Sequence, residues 1–353
     1  MKKKRKAEME QQLSDSNSLL IQCIEHLLAQ QFKFVVFKYP LASEIRILVE
    51  TPASKSQVFS LQSFNGKQNE EIKGRLFEDK AWEGILNLRN GKPLALCKTL
   101  DESYMSQDSY ETYVADIVKL TKTTSLIKSV AARKKKFALP ASFNPAMAFF
   151  KMTYTYGPTF VYLANTSLGL WLGASPELLM FKKGERSFTV SLAGTKLVKD
   201  KSPWTEKDKV EQQIVTDYII DTVRANGASF IHTSPTFDVH AGHIKHLKTD
   251  IEFSSIPNVQ ELLHPTPAVC GLPREAAKEI IAKYEKNNRS LYSGFLGLNG
   301  DNTSYYVNLR CMRIHDKHAD VFVGAGITAD SSPEQEWLET EAKADVMKKI
   351  LEE

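Results

Sequence analysis

The stretch "GAGITADSSPEQEWLETEAK", residues 324–343, sets a glycine-rich turn directly ahead of a segment carrying four glutamates and one lysine. Ser332, Pro333 and Gln335 read as a helix start. The serine caps, the proline takes the first turn, where its missing N–H costs nothing, and the glutamine reaches back as in a capping box. On that helix Glu336, Glu339 and Lys343 fall at i, i+3 and i+7 and share one face, while Glu334 and Glu341 point elsewhere. Taken alone, such charge patterning describes a solvated helix face. The neighbouring sequence has to decide between that and a site.

Working upstream, "ADVFVGAGI" (319–327), "SYYVNLRCMRI" (304–314) and "SGFLGLNG" (293–300) read as a closing run of strands, preceded by a helix over 273–286. "HIKHLKTDIEF" and "ASFIHTSPTFDVH" are strand-like, and a helix over about 203–224 stands before them. "SFTVSLAG", "GLWLGA" and "TFVYLAN" are three more short strands. Asn144-Pro145 opens a helix that Gly157-Pro158 stops. "IKSVAARK" reads as a strand with Lys128, Val130 and Ala132 on one side, after a helix over 110–126. Nearer the start, "SQVFSLQSF" runs into an Asn-Gly turn, "IRILVE" and "FKFVVFKYP" are strands, and residues 8–31 carry a helical stripe of Leu19, Leu20, Cys23, Leu27 and Leu28. Helices and hairpin-linked strands are interspersed without βαβ alternation. The expectation is therefore an α+β fold: a single large domain of antiparallel β-sheets with helices packed outside. Its N-terminal, helix- and strand-rich portion is 1–109 and its catalytic portion 110–353.

Bulk properties narrow the function. The 353 residues are 42% hydrophobic, enough for a large core, and the net charge of +4 suits a small anionic substrate but not nucleic acid. The basic start "MKKKRK" reads as a solvated terminus, with no signal peptide and no run of about 18 apolar residues to span a membrane. Cys23, Cys97, Cys270 and Cys311 are scattered, as in a reducing cytoplasm.

Several side chains invite chemistry. Glu177 in "GASPELL" is held by a proline-led turn among small residues. Glu211 falls on the buried stripe of its helix with Ile214, Val215, Tyr218 and Ile219, and a carboxylate there needs a cation or a metal. His240, His243 and His246 are spaced in threes, but in an extended segment His243 faces away from the other two, which argues against zinc. Hard carboxylate ligands suit magnesium.

Taken in order, "GASPELL", "SLAGT", "EQQIV", "ELLHPTPAVCGLP", "YSGFLGL", "VNLRCMRI" and "GAGITADSSPEQEWLETEAK" resemble the chorismate-binding enzymes. That family includes isochorismate synthase, salicylate synthase, anthranilate synthase component I and aminodeoxychorismate synthase. The resemblance covers roughly residues 110–350 and implies an anthranilate synthase component I-like fold. It also implies roles: Glu211 and Glu339, with Glu336 beside them, as the Mg²⁺ carboxylates; Arg310 and Tyr292 on the enolpyruvyl carboxylate; the Gly324 backbone and Lys343 around the substrate's carboxylates. Glu177 would be the general acid and Lys128 the general base, with Gly194, Thr195, His246 and Thr266 lining the pocket. The helix would then present a metal ligand and an anion-binding lysine on one face, beside a glycine turn whose N–H groups bind carboxylate.

Within that family, a lysine at 128 favours water over ammonia as nucleophile, so no amidotransferase subunit is expected. Water addition at ring carbon 2 of chorismate with loss of the 4-hydroxyl makes isochorismate, for menaquinone synthesis; the alternatives are a siderophore pathway or a salicylate synthase. A lysine acts as base only when neutral, so burial or a neighbouring cation should lower its pKa from about 10.4, while a dry site should raise that of Glu177. A monomer is expected. One departure is Gln212-Gln213 after Glu211, where the family commonly has histidine; altered tuning around the metal is expected from it.

Overall fold

In a computed structural model, residues 15–52, 57–90, 94–95, 103–241, 244–285, 289–300 and 302–352 are described. The basic start, Cys97 and His243 lie outside them. Among the described residues seventeen strands join one continuous sheet system, and every strand pairing is antiparallel, as the absence of βαβ alternation predicts. The N-terminal strands are not set apart: Phe34–Lys38 pairs with Phe160–Thr166, and Gln57–Gln62 with Phe295–Asn299.

Helices cover the sheet through apolar stripes. On helix Asp15–Ala29, Leu20, Cys23, Ile24 and Leu27 are fully buried and pack with Phe149 and Met152 of helix Pro145–Thr155 and with Ala344, Met347 and Ile350 of the C-terminal helix Pro333–Leu351. Four buried apolar clusters run through the molecule. At about 25 cal/mol per Å² of apolar surface, such cores are what offset chain entropy.

Several boundaries move by two or three residues, and several local expectations are corrected: "ASFIHTSPTFDVH" is two strands, Ile231–Thr233 and Phe237–Ala241, and Gly324 and Gly326 lie within strand His318–Ile327 and not in a turn. The C-terminal helix does begin with Pro333 at its first turn, but the Ser332 side chain makes no capping bond. The Glu336 N–H goes to the Ser332 carbonyl at 3.0 Å, the first bond of the helix ladder. "SYYVNLRCMRI" is not one strand but two, Ser304–Val307 and Cys311–Ile314. The break is a kink at 308–310, where Arg310 takes a left-handed φ of 49°. Strand Asn69–Phe77, hairpinned to Gln57–Gln62 through the Asn65-Gly66 turn, has no counterpart in the sequence reading.

For the site, the central pairing is strand Lys128–Ala138 against His318–Ile327, with Val130 opposite Gly326 and Ala132 opposite Gly324. Lys128 through Lys134 are all buried. Helices Glu206–Ala225 and Pro333–Leu351 run past the end of this pair.

Candidate active site

One cavity gathers residues from nearly every quoted motif. Glu177, Gly194, Glu211, His246, Tyr292, Arg310, Gly324, Glu339 and Lys343 all line it, with Leu192, Lys207 and Phe322 among their neighbours. Its volume of about 150 Å³ far exceeds the ~10–15 Å³ one water needs, so a small organic molecule fits.

Lys128, at the start of strand Lys128–Ala138, stands behind Glu211, which lines the cavity, and is not itself among the lining residues. Its side chain has no exposure, and Nζ donates to Glu211 Oε1 at 2.7 Å. The space between them exists because residue 326 is glycine: a Cβ there would stand 2.5 Å from Glu211 Oε1 and 2.9 Å from Lys128 Cε. Burial was expected for Lys128; the charged group beside it is a carboxylate and not a cation. For Glu211, burial pushes the carboxyl up, but Lys128, with Lys207 and Lys343 beyond it, outweighs burial and leaves it below the ordinary carboxylate value.

The C-terminal helix places its acidic face as the spacing predicts. Glu339 Oε1 accepts from Lys343 Nζ at 2.7 Å, and Lys343 also donates to the Gly324 carbonyl at 2.8 Å. Glu336 is buried behind the lining, its Oε1 bound to Lys207 Nζ at 2.7 Å. Burial first, then the charge of Glu339, raises the Glu336 carboxyl. Glu341 turns away to Arg133 and Lys135.

Elsewhere in the cavity Glu177 follows strand Gly169–Ser175 through Pro176 and is almost fully buried. Burial lifts its carboxyl from 4.5 to about 8 against the opposing pull of Lys128 and the Thr266 hydroxyl beside it. Glu177 therefore holds its proton at neutral pH. Thr266 thus stands behind Glu177, outside the cavity lining proper. Gly194, at a left-handed φ of 68°, turns its carbonyl to His246 Nδ1 at 2.7 Å. His246 Nε2 lies 2.8 Å from Arg310 Nη2. A guanidinium only donates, so Nε2 accepts and Nδ1–H donates to Gly194. Burial, with Arg310 second, holds His246 down to about 3, so the ring is neutral. Arg310 Nη1 is buried with no hydrogen-bond partner. An unpaired buried donor on a cation is costly unless an anion fills it. Thr195 follows Gly194 on strand Arg186–Leu197.

Two positioning features escaped the sequence reading. Asn308 pins the kink that aims Arg310: its side chain accepts from Tyr162 Oη at 2.7 Å and donates to the Leu291 carbonyl at 2.9 Å. Lys207, four residues before Glu211 and so on the same helix face, joins the cavity lining. Its position relative to Glu211 was a usable signal. Gln212 does donate, as expected, but into the sheet, to Ser191 Oγ at 2.8 Å and its carbonyl at 3.1 Å; it anchors the helix and faces away from the carboxylates.

The donor chemistry fits a hard divalent ion. Glu211 and Glu339 both face the cavity, Glu336 is close enough for Glu339 to raise it, and three lysines crowd in to balance them. Such a carboxylate set suits Mg²⁺ with substrate oxygens completing its shell.

Residues 54–352 match the family model described as chorismate binding enzyme. Isochorismate synthase EntC of Escherichia coli (strain K12) is 31% identical over 266 residues, covering 69% of this chain and 67% of that protein. The solved structure of MenF, the menaquinone-specific isochorismate synthase from E. coli, aligns over 92% of this chain and 89% of its own, with a TM-score of 0.76 at 21% identity. Anthranilate synthase component I from Streptococcus pneumoniae TIGR4 aligns over 90% and 80%, with a TM-score of 0.62 at 18% identity. These two likenesses speak to the fold, and they bear out the large antiparallel architecture expected for it. No helix among the described residues is long and apolar enough to cross a membrane.

Proposed function

The chain belongs to the chorismate-binding enzyme family, and from that premise and the chemistry of its cavity we propose that it is an isochorismate synthase. The observation that carries this reading is Glu177: a carboxyl kept protonated at neutral pH by burial, lining the same cavity as an arginine whose Nη1 lacks a partner. Chorismate is a dianion with a hydroxyl to be expelled. Arg310, held by neutral His246, would grip the enolpyruvyl carboxylate together with the Tyr292 hydroxyl. Lys343, bound to Glu339 and the Gly324 carbonyl, would neutralise further carboxylate charge.

Lys128 would take a proton from water as it adds at ring carbon 2, and Glu177 would give its proton to the departing 4-hydroxyl while the double bonds shift. The proton taken and the proton given balance, so the ring is isomerised without net change in composition. An amine that donates one N–H to Glu211 still has a lone pair to aim at water, so that contact orients the base without consuming it. Glu211 and Glu339, with Glu336 behind them, would hold Mg²⁺, which when bound neutralises and orients the ring carboxylate. Each of the two proton-transfer groups would contribute about 10²–10⁴ in rate.

A base suited to water removes the need for an ammonia-supplying partner, so we propose action as a monomer in the cytoplasm without an amidotransferase subunit. Menaquinone synthesis is the proposed destination of the product. Purified protein incubated with chorismate and Mg²⁺ should yield isochorismate by chromatography. Accumulation of salicylate and pyruvate would replace the proposal with salicylate synthesis, and anthranilate from added ammonia would overturn the choice of nucleophile. Restoring growth of a menaquinone-requiring strain, and not of a siderophore-deficient one, tests the pathway.

A further inference from the structure

A second set of ligand-type side chains stands outside the cavity, on the hairpin between strands Cys311–Ile314 and His318–Ile327. The His315 N–H donates to the His318 carbonyl at 2.8 Å and closes the turn, so the two histidines are cross-strand neighbours. Asp320 follows two residues on and shares their face. The imidazole rings lie parallel, with centroids 4.3 Å apart and planes 10° from coincidence. Both turn Nε2 toward one carboxylate: His315 Nε2 is 3.2 Å from Asp320 Oδ2, and His318 Nε2 is 3.8 Å from Oδ1. One ligand atom from each of the three lies within 4.8 Å of the other two, which no other trio of His, Cys, Asp or Glu achieves among the described residues.

Access and orientation also suit a metal. The two histidine side chains keep 24% and 20% of their surface exposed while Asp320 is buried, so an ion could enter from solvent. The Tyr104 hydroxyl donates to Asp320 Oδ1 at 2.6 Å, fixing the carboxylate from behind as metal-binding carboxylates are commonly fixed. Against a cation stands Lys134, buried, with Nζ 3.8 Å from Asp320 Oδ2.

We propose that His315, His318 and Asp320 form a Zn²⁺ site separate from the carboxylates of the cavity. Two imidazole nitrogens and one carboxylate oxygen are a borderline donor set that suits Zn²⁺ and not Mg²⁺. The remaining coordination positions go to water. Because an imidazole nitrogen binds a metal in the plane of its ring, bonds of ~2.0–2.1 Å require the two parallel rings to tilt toward one another, a side-chain adjustment at the tip of a hairpin. The Lys134 ammonium repels the ion, so the site binds on the order of micromolar and not nanomolar.

The test is calorimetric titration of Zn²⁺ into the metal-free full chain, with folding of each variant checked by circular dichroism. Wild type should take up one more equivalent than the His315→Ala/His318→Ala double variant. Lys134→Met should tighten that equivalent severalfold. Co²⁺ used as a spectroscopic probe should give visible d–d bands that vanish in the double variant and persist in Glu211→Gln/Glu339→Gln, which alters the cavity carboxylates alone. The proposal is overturned if the double variant binds as much Zn²⁺ as wild type, or if wild type binds none.

Discussion

Where helices Glu206–Ala225 and Pro333–Leu351 meet the strand pair, three carboxylates each have a lysine beside them: Lys128–Glu211, Lys207–Glu336 and Lys343–Glu339 each stand at 2.7 Å. In the part built from the strand ends and the 308–310 kink, Glu177 stands in no ion pair among the described residues, His246 is neutral, and Arg310 Nη1 has no partner. Burial raises the carboxyls of both regions; what differs is how far a neighbouring lysine offsets it. In the first, the lysines around Glu211 outweigh its burial and hold its carboxyl below the ordinary value. In the second, burial outweighs the pull of Lys128 and Thr266 on Glu177, leaving a protonated acid beside an arginine whose Nη1 has no partner.

Lys128→Ala breaks the paired region at its centre and should have the largest effect, a loss of about 10⁴ in kcat, at the upper end of general-base contributions. Near-normal turnover in that variant would remove Lys128 as the base. Glu177→Gln strikes the unpaired region. It should cost about 10²–10³ in kcat with KM little changed, and wild-type kcat should fall as pH rises through about 8, where Glu177 loses its proton.

The same substitution should stabilise the fold. Below pH 4.5 both the folded and the unfolded chain hold this proton; between 4.5 and about 8 only the folded chain does. Stability contributed by the group is therefore lost as pH rises across that window, at about 1.4 kcal/mol per unit. Thermal unfolding of Glu177→Gln against wild type should show an advantage that widens from pH 5 to pH 8 and levels off above it. A gap independent of pH would contradict the buried, protonated acid.

His246→Ala withdraws the acceptor that orients Arg310 and should raise KM about tenfold with a smaller change in kcat. Because His246 is held near 3, its loss should delete no limb of the pH–rate profile between pH 5 and 8. Glu336→Gln should have the smallest effect, a two- to fivefold loss of activity, since Glu336 lies behind the lining and its removal leaves Lys207 beside Glu211 and Glu339. A loss as large as that of Lys128→Ala would place Glu336 in direct contact with the chemistry.

The motif residues were legible because their chemistry is unusual at their positions: a carboxylate on a buried stripe, a lysine on a strand, glutamates and a lysine repeating along one helix face. What the sequence hid depends on partners far along the chain. The break at Arg310 is held by Asn308 through Tyr162 and Leu291, and nothing in "SYYVNLRCMRI" announces it. Strand Asn69–Phe77 alternates cleanly between exposed and buried, but its inward positions are filled by Glu70, Ile72 and Gly74, so the apolar period is missing from the letters. Glu70 is tolerated inside because Lys33 stands 2.9 Å away and the Ser167 N–H donates to it at 2.9 Å. The Ser332 side chain makes no capping bond although Glu334 and Gln335, the second and third helical residues, keep the N–H groups such a cap would serve.

Turnover of chorismate in H₂¹⁸O, with the product analysed by mass spectrometry, tests the water-addition chemistry most directly. The account predicts isochorismate carrying one solvent oxygen, at ring carbon 2, with the original 4-hydroxyl released to bulk water. Isochorismate without label would mean that the hydroxyl migrates within the molecule, and the division of labour between Lys128 and Glu177 would be wrong.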